Sequence, residues 1–143
     1  MMLLALLAFS VGIGFARHSG ATTVQQKEIQ ALKLEVAKPD VKWETWLKYG
    51  QVLEAAHQYK DAAVAYQQVL KTDPYQPEAL WHRAFCLGSA LRDTEQFFSF
   101  MRNTVDVDPK LAKKVFEQPY AAIYLAEARF QTLKQDAIAG SMD

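Results

Sequence analysis

His82 and Cys86 are the residues with the strongest claim to chemistry. Spaced four apart, they share one face of a helix, and imidazole with thiolate is a transition-metal donor pair. Two donors are half a zinc site, which normally has four ligands or three plus water. The other histidines, His18 and His57, are distant in sequence. Asp106 and Asp108 sit just before Pro109, where a short acid reads as a helix cap rather than a catalytic carboxylate. There is no glycine-rich phosphate loop and no His-Glu-x-x-His motif. The run Phe97-Phe98-x-Phe100-Met101 reads as core packing, with Phe98 turned away from Phe97 and Phe100. The expectation is a protein that is not an enzyme, with no catalytic residue, cofactor or metal.

Composition narrows the partners. The chain has 143 residues, half of them hydrophobic and 22% charged, with a formal net charge of zero. Nucleic-acid binding calls for a basic face, and none is visible. Cys86 is the only cysteine, so an intramolecular disulfide is impossible.

The elements that would position such residues are set by a repeat. Pro39, Pro74 and Pro109 are spaced 35 residues apart, and seven residues after each stands Trp46, Trp81 or Phe116. Such a period with helical composition between the prolines predicts stacked helical hairpins. Thr22 or Thr23 caps a first helix, Thr23 with Gln26 fitting a capping box. Ile29, Leu32 and Val36 form its apolar stripe, and Pro39 ends it. Asp40 is placed to cap a helix over 41–56. A turn at 57–59 leads to a helix over 60–71, and Pro77 opens another that runs to about Leu91. Asp93 caps the next helix, and a short one spans 111–117. Pro119 restarts a helix toward Ala137, with Ile123, Ala126, Phe130, Leu133 and Ala137 at helical spacing. No strand-like alternation appears.

The stretch from Trp46 to Pro74 resembles a tetratricopeptide repeat (TPR). Trp46, Tyr49-Gly50 and Leu53 fall on the core positions of the family's helix A. Ala62, Tyr66 and Val69 fall on those of helix B, and Pro74 on the terminal proline. The unit from Pro77 to Pro109 fits in two registers. Leu80, Arg83-Ala84 and Leu87 match one, Trp81 and the 35-residue period match another shifted by one, and Phe97 replaces the helix-B alanine. The resemblance covers residues 41–109 well and the flanks loosely. It implies an all-α, short helical-hairpin solenoid of about two repeats with flanking capping helices; the apolar start of the chain adds a hydrophobic N-terminal helix before it. The divisions are 1–16 (anchor helix), 17–39 (linker and amphipathic helix), 40–109 (two repeats) and 110–143 (capping helices and tail). The family's ligands lie on the helix-A face. Carried over, the partner-binding positions are Glu44, Leu47, Gln51 and Glu54 in the first unit and Glu78, Trp81 and Phe85 in the second. The basic and asparagine clamp for a terminal carboxylate is replaced by Leu47, Gln51, Trp81 and Phe85, so the face suits an apolar or mildly basic segment.

Residues 1–16, MMLLALLAFSVGIGFA, carry no charged side chain. As a helix they would extend about 24 Å, against the roughly 30 Å hydrocarbon core of a bilayer. A cleaved secretory peptide, a retained signal anchor and an apolar helix buried in an assembly are the alternatives; the retained anchor is favoured. Ala5, Ala8, Gly12 and Ala16 fall on one face, where small residues let membrane helices pack closely. Arg17, Lys27 and Lys33 follow the segment and no Lys or Arg precedes it, which leans the C-terminal domain toward the cytoplasm.

Together these features predict a single-pass, membrane-anchored scaffold or assembly subunit. Its partners would be proteins, including an integral membrane protein, with homo-oligomerisation open. The alternative is a self-assembling filament or multi-subunit structural protein whose N-terminal helix is the packing core. A partner surface or second copy is expected to cover an aromatic patch around Trp81, Phe85, Phe98 or Tyr120 with Tyr124.

Overall fold

The computed structural model describes residues 22–142. These form helices only: α1 (Thr23–Val36), α2 (Trp43–Ala55), α3 (Tyr59–Thr72), α4 (Pro77–Ala84), a π-helical turn (Phe85–Ala90), α5 (Thr94–Val107), α6 (Pro109–Phe116), a 3-10 segment (Pro119–Tyr124) and α7 (Ala128–Gly140). Consecutive helices pack in pairs, α2 on α3, α4 on α5 and α6 on α7, and α3 packs on α4 to join the first two pairs. Among the described residues no helix is long and apolar enough to cross a membrane. Ala5, Ala8, Gly12 and Ala16 lie outside the described residues, as does the hydrophobic N-terminal helix they were assigned to.

Short polar side chains set the helix starts. Thr22 and Gln25 form the capping box of α1, one residue earlier than the Thr23–Gln26 pairing. Gln76 accepts from the Ala79 amide ahead of Pro77. Asp93 accepts from Gln96, and Asp108 from Leu111. Each such cap is worth about 1 kcal/mol. Asp40 does not cap α2. Its φ is +58°, and Lys42 occupies the cap position without a side-chain bond.

The first hairpin closes on a small residue. A Cβ on Gly50 would stand 2.6 Å from Tyr66 Cε1, so α2 and α3 meet where only hydrogen fits. Ala62, Tyr66 and Val69 are fully buried on the facing helix. The second hairpin reaches the same closeness elsewhere: a Cβ on Gly88 would stand 2.1 Å from Phe97 Cβ.

The two registers of the second unit are both real, and the π turn reconciles them. Buried Leu80 and Ala84 lie 34 residues after Trp46 and Gly50. Gly88, Phe97 and Met101 lie 35 after Leu53, Ala62 and Tyr66. Between the two sets the backbone bonds widen, with the Leu91 amide donating to the Cys86 carbonyl at 3.0 Å, five residues back. A π turn accommodates one residue more than an α turn. α4 therefore stops at Ala84 rather than running helically regular to Leu91. The hairpin turns then coincide: His57 and Arg92, 35 apart, both take a left-handed φ of 60° and 64°.

The short helix expected near 111–117 is α6, but past Pro119 the chain departs from the expected single helix. Pro119 opens a 3-10 segment, and α7 begins only at Ala128. Ile123 and Ala126 are consequently exposed, whereas Phe130, Leu133 and Ala137 are buried. Tyr124 is also buried, stacked 4.1 Å from Phe97, so it contributes core rather than open surface. Phe98 is buried as well, edge-on to Tyr124 and beneath the Arg129 guanidinium. It did not turn away, because the 3-10 segment and α7 cover the side of α5 that a lone hairpin would leave bare.

Candidate functional site

Glu54, in the last turn of α2, organises the seam between the two hairpins. Its Oε2 accepts from the Tyr66 hydroxyl at 2.9 Å, lies 2.9 Å from His82 Nδ1, and lies 3.5 Å from Cys86 Sγ. Glu54 and His82 side chains are only 17% and 15% exposed, so the contact is shielded from water. His82 lies between two rings, 5.1 Å from Tyr66 and 3.7 Å from Trp81. One carboxylate thus ties α2, α3, α4 and the π turn together.

This cluster is built for hydrogen bonding. Burial, and then the Glu54 carboxylate, push the Cys86 thiol far above its ordinary range, and the same two influences raise Tyr66. Both groups therefore stay protonated and donate to Glu54. A thiol held protonated is a poor metal ligand and a poor nucleophile. Among the described residues no three His, Cys, Asp or Glu side chains are grouped to hold a metal ion.

The partner-binding positions separate into four groups. Glu44, Gln51 and Glu78 are exposed. Leu47 is buried in the cluster that contains Ile29, because α1 packs over α2; it faces the protein rather than a ligand. Glu54 is engaged at the seam, so its carboxylate is occupied within the fold. Trp81 and Phe85 are half-buried, and the ring above them belongs to the chain itself: Tyr120 lies 4.6 Å from Phe85 and is parallel to Trp81 at 6.3 Å. Tyr59 meets Phe85 edge-on from below at 5.8 Å.

Two features of this region had no signature in the spacing. Glu54 and Tyr66 are twelve residues apart on different helices. Tyr120 reaches Trp81 and Phe85 from beyond α5 and α6. The only local hint was Tyr120 following Pro119, which starts a turn.

The helix pairing, the close contact at Gly50 and the stacked second hairpin agree with what comparison finds. Residues 43–86 match the tetratricopeptide repeat family. No curated protein and no solved structure matches the chain. The matched TPR span takes in α2, α3, α4 and the first residues of the π turn, and so contains Glu54, Tyr66, His82 and Cys86. TPR families are generally non-enzymatic protein-interaction modules. The match covers the hairpin α2–α3 and α4, and α5 lies outside it.

Proposed function

We propose that this chain is a non-enzymatic TPR scaffold that docks a partner protein on its helix-A face. The observation that carries the reading is the match of residues 43–86 to the repeat family, set on a hairpin whose Gly50 contact the family pattern requires. The exposed positions Glu44, Gln51 and Glu78 give that face an acidic rim, which favours an apolar or mildly basic segment of the partner. Residues 1–16, apolar and uncharged, serve as a single-pass anchor with the repeats on the cytoplasmic side. The small face of Ala5, Ala8, Gly12 and Ala16 packs against a helix of an integral membrane partner.

A photo-crosslinking residue placed in the full chain at Glu44, Gln51 or Glu78 should give a discrete partner adduct in cells. The same residue at exposed Val64 on α3 should not. Adducts from Val64 alone would move the docking face to the opposite side of the hairpin. Deleting residues 1–16 should release the protein from washed membranes; continued sedimentation would place membrane association in the repeats.

A further inference from the structure

Tyr120 occupies the part of the helix-A face that the repeat assigns to a ligand. It does so unevenly. Its neighbour in the 3-10 segment, Tyr124, is a core residue stacked on Phe97 and only 4% exposed. Tyr120 is only partly buried, yet its hydroxyl oxygen is fully covered and has no hydrogen-bond partner. A covered hydroxyl without a partner has given up its hydration with no hydrogen bond in return. That cost is recovered when the ring leaves. Beside the ring lies an open groove of about 190 Å³, bordered by Trp81, Leu111 and Val115. The backbone carrying Tyr120 is 3-10, whose hydrogen bonds are weaker than those of an α-helix.

We propose that Tyr120 is a displaceable, self-supplied occupant of the partner site, held in cis over Trp81 and Phe85 and pivoting on buried Tyr124. The partner segment that replaces it carries an aromatic side chain, because an aromatic ring is what Trp81 and Phe85 receive now. The released phenol regains water, which offsets the loss of stacking. Docking therefore competes with an intramolecular contact, and apparent affinity is lowered by the fraction of chains with the site open. This inference rests on the helix-A face being the docking face.

The test uses the full chain in detergent and a fluorescent peptide of residues 117–126, EQPYAAIYLA, with anisotropy as the readout. The peptide should bind Tyr120→Ala about tenfold more tightly than wild type, as expected when the closed state holds about nine-tenths of the molecules. A peptide with alanine in place of its first tyrosine should bind neither. Tyr120→Phe should melt no lower than wild type, since the hydroxyl it removes has no partner. Equal peptide binding to wild type and Tyr120→Ala would overturn the proposal. So would loss of the folded state in Tyr120→Ala, or a lowered melting temperature in Tyr120→Phe, because either makes Tyr120 a fixed pillar of the core. The peptide comes from the chain itself and no partner is needed, so a negative result leaves the crosslinking test of the scaffold reading intact.

Discussion

The two seams between the helix pairs are built from different materials. Between the first hairpin and the second, a buried carboxylate gathers three donors from three elements around Glu54. Between the second hairpin and the C-terminal helices, the contact is aromatic: Phe97 and Phe98 on one side, Tyr124, Phe116 and Phe130 on the other. Its charged groups stay at the rim, where Arg129 pairs with Glu95 and Arg102 with Asp136. Such exposed pairs contribute little, at most about 1 kcal/mol each. The polar seam tolerates little change in geometry because every donor depends on one oxygen. The aromatic seam tolerates little change in volume, because Phe97, which stacks on Tyr124 across it, is already held against Gly88 within the second hairpin.

The largest expected effect tests the volume limit. Gly88→Ala should cost about 3 kcal/mol, at the upper end for overpacking, because its Cβ would meet Phe97 at the Cβ, which cannot move without its backbone. Gly50→Ala should cost less, about 1–2 kcal/mol, since it meets the outer ring atoms of Tyr66. Chemical denaturation of both variants gives the order. A reversed order would mean that the second hairpin relaxes more readily than the first.

Next comes the polar seam. Glu54→Ala leaves the Tyr66 hydroxyl and the Cys86 thiol without their acceptor and should cost about 2 kcal/mol. The same seam predicts an alkaline limit. Tyr66 and Cys86 have folded pKa values raised above their ordinary 10.0 and 9.0. Above those ordinary values the unfolded chain releases protons that the folded chain keeps, so stability is full below about pH 9 and falls as pH rises. Cys86→Ala should move the onset of that fall toward pH 10, where Tyr66 begins to count. An onset unchanged in Cys86→Ala would show that the thiol is not held protonated by the fold.

The smallest effect belongs to the turns the hairpins share. Arg92→Gly should stabilise by up to about 1 kcal/mol, since a non-glycine residue pays 1–2 kcal/mol at a left-handed φ and glycine gives back part of it in unfolded-chain entropy. A melting temperature at or below wild type would mean that the Arg92 side chain contributes more than its backbone costs.

Much of the first hairpin was legible in the residues. Gly50, Leu53, Ala62, Tyr66 and Val69 are spaced as one helix pair requires, and the structure buries all of them. Proline positions and the caps at Asp93 and Asp108 were legible too, because a cap is a bond between residues three apart. The second hairpin was half legible. Its conflict of registers was visible, but a sequence period cannot show whether an extra residue enters a loop or widens a helix.

By itself, then, the sequence determined the helical class, the hairpin order and the tight contact at Gly50. Each follows from local spacing, capping or a small residue at a fixed offset. Only the tertiary structure decided that the extra residue becomes a π turn, that Leu47 is covered by α1, and that Glu54 serves the seam. It also decided that Tyr120 lies over Trp81 and Phe85. Those outcomes depend on which distant helix arrives at a given face. That is fixed by the packing of all the helices together, because the free energy of a buried contact depends on its partner as well as on its own residue.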